Sequence, residues 1–462
     1  MSNDKYNFCT TIERLDISDI NVEAINYAKY DLIDILGVII AGKNAPGINQ
    51  LVTLHSEWQG QPQSSVLCRD LKLPAPSAAL INGAMAHALD FDDTLDFAGN
   101  IHVGASVVPA ALAMAEQTGG VTGAQLLTAI ASGIEMSCRL AAIAHEDLGW
   151  HRTGAFGIFG ATVAACKVLG LDAPLIQQAL GIALSQASGT RQCILDGALT
   201  KRLQAGFAAS NAVTAALYAQ AGLTGAQDPL WGRYGFFEMY QPNGYDTSKG
   251  LEDFGTMYLM TDLSFKPYPC GRPTHKFISA SLKAHADINS HRLKIEDISA
   301  IKLKCGSEIF ERHKHNSDSL HPPQNQIEAQ FHVGFLIASS LIHGRFGLHQ
   351  LDDLANKQVV QLTRMIEWEP HPTNYQNDLI GHLELTVNNN EKMIVEVTQS
   401  SVVQSPSTIS NLIYEKFRSC LEYGLGFDKT EQAQEFLGQL SAVETLANSS
   451  EITNTVLNLI EG

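Results

Sequence analysis

The feature that most restricts the fold of this 462-residue chain is a change of hydrophobic period near residue 265. Before it, segments rich in Ala, Leu, Ile and Gly repeat apolar residues at helical spacing, separated by short glycine-marked breaks. The spacing predicts helices over 23–42, 75–89, 105–117, 123–145, 154–169, 175–188 and 204–221. After it, "DISAIKLKC" alternates Ile301, Leu303 and Cys305 with Lys302 and Lys304, which reads as a half-buried strand. "HLELTVNNNEKMIVEV" holds two such runs around Asn388–Asn390, residues suited to a turn, and predicts a hairpin. A helix, "IEAQFHVGFLIASSLIHG", separates these strands, and roughly 405–462 returns to helical spacing. The expected class is mainly α. A large all-α domain would comprise 1–265 with 400–462, and a smaller α/β (α+β) lid domain would be inserted at 266–399. A chain of this length exceeds one ordinary core, which agrees with two domains.

"TGAQ" occurs at Thr122–Gln125 and again at Thr224–Gln227, each time after a glycine. Thr followed three residues later by Gln is a capping box, so a helix start is expected at both places.

Acidic residues outnumber basic ones, 48 to 31, for a formal charge of −17. Nucleic acid and anionic membranes call for a basic face, so neither is an expected partner; a small anion needs only a few cations gathered locally. The eight cysteines are scattered without any CxxC, which speaks against a zinc ribbon, a simple iron–sulfur motif or a disulfide framework. The N-terminus lacks a charged-then-apolar signal pattern, and no stretch approaches about 20 uncharged apolar residues. The expectation is a reduced, cytoplasmic, soluble protein.

Against this apolar background, "HALDFDDTLDFAGNIHVGASVVPAA" (87–111) gathers four aspartates and two histidines. On a helix, Asp90, Asp93 and Thr94 would share one face. The bland interpretation is a helix end running into a solvated acidic loop, although acidic groups are disfavoured at a helix C-terminus. Three chemical interpretations stand beside it. "DDTLD" fits a magnesium-diphosphate motif of terpenoid synthases, "DFDD" fits the general-acid motif of terpene cyclases, and a carboxylate with His102 can handle protons beside an organic anion.

Cations appear at two informative places. Lys201 and Arg202 open a helix, where positive charge is unfavourable unless it and the first-turn N–H groups hold an anion. "SFKPYPCGRPTHKF" (264–277) is stiffened by Pro267, Pro269 and Pro273, and so should hold Lys266, Tyr268, Arg272 and His275 close together at the expected domain boundary. His151 and Arg152 precede a glycine-rich helix, where a histidine serves as a cap, a packing group or a catalyst. His313, His315 and His321 read as an exposed polar loop.

Together, "HALDFDDT…IHVGASVVPA", "WHRTGAFGIFGATVAACKVLGL", "KRLQAGFAASNAV" and "KPYPCGRPTH" resemble the MmgE/PrpD family, in family order from about residue 20 to 400. The resemblance implies a helical domain with a smaller α/β lid, a homodimer, and no metal or cluster cofactor. Its members include 2-methylcitrate dehydratase, cis-aconitate decarboxylase and iminodisuccinate epimerase. It implies catalytic roles for Asp90, His102, His151, Lys201 and Lys266. Thr94, Arg202, Tyr268, Arg272 and His275 are candidates for substrate binding. Gly271 and Phe335 stand where decarboxylase members carry a histidine and a tyrosine. The expected activity is proton abstraction next to a carboxylate of a small di- or tricarboxylate, 2-methylcitrate dehydratase-like first and decarboxylase or epimerase second. A magnesium-dependent terpenoid enzyme and a non-catalytic carboxylate binder complete the alternatives. In this reading Lys201, Lys266 and Arg272 hold carboxylates, His102 and His151 act as base and acid, and Asp90 orients or charges one histidine.

Overall fold

In a computed structural model of the chain, the described residues are 4–144, 148–246, 250–306, 310–311, 313, 317, 321–370, 380–387, 391–398, 406–426 and 430–461. Helix dominates, with small sheets. The chain divides into two compact units: Met1–Gln192 with Leu199–Phe265 and Ile409–Gly462, and Cys193–Ala198 with Lys266–Thr408. The expected boundary near 400 falls outside the described residues.

In the first unit, local chemistry sets the helix starts. Thr122 Oγ1 accepts the Gln125 N–H at 3.2 Å while Gln125 Oε1 accepts the Thr122 N–H at 2.9 Å, completing the box before the helix Gly123–Ile143. The second TGAQ starts no helix. There the Gly225 N–H donates to Gln178 Oε1 and the Gln227 carbonyl accepts from Gln177 Nε2, so the preceding helix Ala173–Leu184 takes up this backbone.

Small residues let the helices meet closely. Thr200–Gln220 packs on Ala75–Ala86, and a Cβ at Gly206 would lie 2.3 Å from the Leu80 carbonyl oxygen. Gly123–Ile143 packs on Gly157–Val168, where a Cβ at Gly160 would lie 2.3 Å from the Gly133 carbonyl oxygen. Gly123–Ile143 is long and apolar enough to span a membrane, yet its most apolar window is 100% buried, as befits a helix apolar all round at the centre of a core. Its two charges answer each other: Glu135 Oε1 accepts from Arg139 Nε at 2.5 Å. The Glu135 carboxylate also accepts the Leu259 and Met260 N–H groups, and Arg139 donates to the carbonyls of Gly250, Asp253 and Met257. This buried pair anchors the segment that leads to Ser264.

The second unit holds a four-stranded sheet in the order Ile366–Pro370, Ala300–Cys305, Ile380–Val387, Glu391–Thr398. The first pairing is parallel and the other two are antiparallel. Leu303 lies opposite Trp368 on one side and Leu383 on the other, and Leu383 opposite Val395, so the alternating apolar residues form one face. His275–Ser290 packs against the hairpin strands and against Val333–His343, closing a core that includes Phe277, Leu303, Leu336 and Leu383. The turn Asn388–Asn390 lies outside the described residues. The helix expected around 327–344 breaks at His332, whose Nδ1 accepts the Phe335 N–H at 3.0 Å and caps a new helix. His313, expected on an exposed loop, is buried; His321 is exposed, and His315 is outside the described residues.

Candidate active site

The helix Ala75–Ala86 stops before His87, and the chain turns at Asp90, whose φ of +51° is left-handed. Aspartate tolerates that region better than most residues. The Lys201 ammonium bonds the Asp90 carboxylate, both side chains buried, and also reaches the His87 carbonyl at 3.4 Å. The shared helical face expected of Asp90, Asp93 and Thr94 is therefore absent, because the turn ends the helix first. Nor is the segment solvated: His87, Asp90, Asp92, Asp93 and Thr94 are all buried.

The aspartates go to separate partners. Asp92 Oδ2 lies 2.6 Å from His87 Nδ1. Asp93 accepts the Val103 and Gly104 N–H groups at 3.0 Å, capping the helix Gly104–Gln117. Asp96 accepts from Ser264 Oγ at 3.0 Å. The divergence of Asp92, Asp93 and Asp96 does not suit a magnesium-diphosphate site, which needs them convergent.

Two imidazoles gather around that of His87. Its ring centroid is 5.1 Å from that of His102 and 5.3 Å from that of His151. His87 Nε2 and His151 Nε2 are 3.4 Å apart. His102 Nδ1 lies 2.6 Å from the Asp93 carbonyl oxygen, which can only accept, so Nδ1 carries a proton. The His102 N–H donates to Thr153 Oγ1 at 3.2 Å, and Arg152 Nη1 donates to the Ala98 carbonyl at 2.9 Å, clamping the intervening loop. Thr94 and Ser264 exchange backbone bonds at 2.8 Å, while the buried Thr94 hydroxyl makes no hydrogen bond among the described residues. His151 precedes the short helix Arg152–Ala155 without capping it through its side chain. Its pKa lies well below the ordinary imidazole value, through burial first and then the nearby His87 and Lys201 charges.

The structure thus brings Asp90, His102, His151 and Lys201 into one buried neighbourhood with His87 and Asp92. The carboxylate that meets the histidines is Asp92, whereas Asp90, expected to orient one, pairs with Lys201. Arg202 turns elsewhere: its Nη1 donates to the Pro46 carbonyl at 2.9 Å, and burial lowers its pKa to about 10. Lys266, Tyr268, Arg272 and His275 belong to the second unit. There His275 Nε2 lies 3.2 Å from the Cys270 carbonyl, its Nδ1 lies 3.4 Å from Arg272 Nη1, and the Tyr268 ring meets it edge-on. Lys266 and Arg272 are both buried.

Sequence reasoning assigned no role to His87. Its signal was its place at the end of an apolar helix, five residues before an aspartate. Lys416, on the helix Pro406–Leu425, was also missed. Its ammonium is 2.6 Å from Asp34 Oδ1 and bonds the Phe91 carbonyl, and nothing local in the sequence announces a contact so distant in the chain. Lys416 faces a second acidic group. Asp31 is fully buried, and its oxygens make no hydrogen bond among the described residues. Burial and the neighbouring Asp93 and Asp34 raise it well above the carboxylate range, and burial with Asp92 pushes Asp93 up to about 8.

Ligand atoms of His87, Asp92 and His102 lie within 4.8 Å of one another, and three protein ligands is the number in an open zinc site. The bonds inside the group fit protons better. A cation would have to displace both the His87–Asp92 contact and the His102–Asp93 carbonyl contact, each 2.6 Å. Burial pushes the thiols of Cys9, Cys68 and Cys420 up to about 12, which leaves them inert as nucleophiles at neutral pH.

Residues 6–247 match the MmgE/PrpD N-terminal domain and residues 268–441 the MmgE/PrpD C-terminal domain. The chain belongs to the MmgE/PrpD family of enzymes. It is 27% identical over 484 aligned residues to the cis-aconitate decarboxylase-like protein oryM of Aspergillus oryzae, across 98% of this chain and 96% of that one. Human cis-aconitate decarboxylase is 26% identical, over 82% of this chain and 79% of its own. The Aspergillus terreus cis-aconitate decarboxylase is 27% identical, over 78% and 76%.

Proposed function

We propose that the protein is a metal-independent lyase or epimerase that removes a proton from the carbon next to a carboxylate of a small di- or tricarboxylate. The observation that carries this reading is the buried grouping of His151 and His102 with the Lys201–Asp90 pair. A proton on such a carbon is weakly acidic, so its removal needs a base in contact and positive charge where the enolate forms. His151, kept neutral by burial, is the base, and Lys201 supplies the charge. His102 is the acid for the departing group, and the Thr94 hydroxyl contacts substrate. Lys266 and Arg272 are buried cations of the second unit.

From the enolate, water elimination expels hydroxide with a proton from His102, while the carbon electron pair becomes the new double bond. Elimination from a 2-methylcitrate-type acid is our first reading. Gly271 supports it: a Cβ there would sit 3.0 Å from the Phe331 ring, so the histidine expected of a decarboxylase would require that ring to shift. Phe335 lies within the hydrophobic core of its unit. The names of the relatives favour a second reading, loss of carbon dioxide from cis-aconitate followed by protonation of the carbon.

Incubation of the protein with 2-methylcitrate, citrate and cis-aconitate in EDTA, followed by NMR of the products, separates these readings. A new vinylic signal from either hydroxy acid is the expected result. Carbon dioxide release from cis-aconitate would establish the second reading instead. Three unchanged acids would count against both.

A further inference from the structure

Burial and the neighbouring Lys201 make positive charge on His151 costly. A base that cannot hold its proton comfortably needs somewhere to send it. The geometry points to His87 and Asp92 as that destination: we propose that they are positioning residues that fix the tautomer of His151 and relay its proton during turnover. The proposal rests on the reading of His151 as an acid–base group and deepens it.

An Asp92 carboxylate at 2.6 Å accepts, so His87 carries its proton on Nδ1 and presents a lone pair at Nε2. His151 Nε2, 3.4 Å away, is then the donor, and Nδ1 of His151 is left as the basic nitrogen. When the substrate C–H bond breaks, its proton forms an N–H bond at His151 Nδ1 and the electron pair stays on carbon, delocalised into the adjacent carboxylate. At the same time the Nε2–H bond of His151 breaks and an N–H bond forms at Nε2 of His87. One proton enters and one moves on. The positive charge then rests on His87, against Asp92, rather than on His151 beside Lys201. The reverse sequence returns the proton when His151 acts as an acid.

Asp92 is placed to serve the other histidine as well. Its Oδ1 lies 3.7 Å from His102 Nδ1, close enough to favour positive charge there without a hydrogen bond. The charged groups facing the relay are Asp90, Asp92 and Lys201, with His102 beside His87 and Gln204 beside His151; Asp31 and Asp93 lie behind Asp92. Gln204 also hydrogen-bonds the His151 side chain, and His87 Nε2 lies 3.4 Å from His151 Nε2.

The test uses His87→Asn and the isosteric Asp92→Asn in the full-length protein, with cis-aconitate and 2-methylcitrate as probes. Each variant is expected to lower kcat on the order of 10²-fold with little change in KM. The double variant is expected to lose no more than the worse single one, because the two residues act as a unit. In His87→Asn the acid limb of the kcat profile shifts, because the neighbour that exchanges a proton with His151 is gone. A merely structural role would lower the folded fraction or raise KM and leave that limb in place. NMR titration of the His151 ring gives a readout independent of turnover. A His151 titration displaced in His87→Asn from that of the native protein supports the relay; an unchanged titration overturns it. If the native protein converts neither probe, the functional reading is what fails, and the titration still decides whether His87 acts on His151. Variants that fold, turn over and titrate like the native protein overturn the relay while leaving that reading intact.

Discussion

Two buried charge clusters meet at the loop 90–93 of the helical unit, and they are built on opposite principles. Around His87, positive and negative groups are matched: Lys201 with Asp90, His87 with Asp92. Around Asp31, the carboxylates of Asp31, Asp34 and Asp93 crowd together and Lys416 is the cation placed against them. Burial alone therefore does not mark an acid–base site. A matched cluster changes charge at modest cost, because each new proton finds a counter-charge. An acid-rich cluster is stable only with protons bound and with fixed dipoles such as the N–H groups of Val103 and Gly104. Its work is structural. A Cβ at Gly104 would lie 2.3 Å from Asp31 Oδ2, and Lys416 docks the C-terminal Pro406–Leu425 helix onto this core.

The two clusters differ most visibly at their lysines. Lys201→Met removes the charge that faces Asp90 and the developing enolate. Turnover should fall on the order of 10³-fold, and stability by about 3–5 kcal/mol because a buried carboxylate is left uncompensated. Adding Asp90→Asn should restore much of the stability without restoring turnover, as read by denaturant unfolding and by assay of cis-aconitate or 2-methylcitrate. Lys416→Met should cost a similar 3–5 kcal/mol while turnover per folded molecule stays close to native. Equal catalytic losses for both lysines would erase the distinction between the clusters.

A smaller effect appears in the pH dependence of stability. Asp31 and Asp93 hold their protons more tightly folded than unfolded, Asp93 up to about 8. The folded state therefore binds more protons between roughly pH 4, the unfolded carboxylate range, and about 8, and stability falls as pH rises through that window. Asp31→Asn should flatten the fall, measured as Tm against pH; an unchanged slope would mean that the acid-rich cluster is not what titrates. The smallest expected effect is that of EDTA. Short bonds already occupy His87, Asp92 and His102, so chelation should leave turnover within error of the untreated protein.

Much of this was legible in the sequence, and what was missed has physical causes. Helix positions such as Val22–Gly42 and Gly104–Gln117 follow from small apolar residues at helical spacing, and the strand Ala300–Cys305 from its alternation. The turn at Asp90 was not legible, because a non-glycine residue at positive φ is held there by Lys201, over a hundred residues away in the chain. The second TGAQ failed for a related reason: side chains of a neighbouring helix hold its Gly225 N–H and Gln227 carbonyl. Candidate site residues were found where chemistry was locally odd, such as acids and imidazoles inside an apolar run. Lys416 and the link from His87 to His151 were missed because each depends on tertiary contact rather than on spacing.

The most direct test of the central claim is deuterium wash-in. With 2-methylcitrate, citrate and cis-aconitate in D2O, the native protein should exchange hydrogen at a carbon next to a carboxylate, and His151→Gln or Lys201→Met should bring that exchange to background. Exchange that persists undiminished in those variants, or its absence from all three acids with the native protein, would contradict proton transfer at this buried centre.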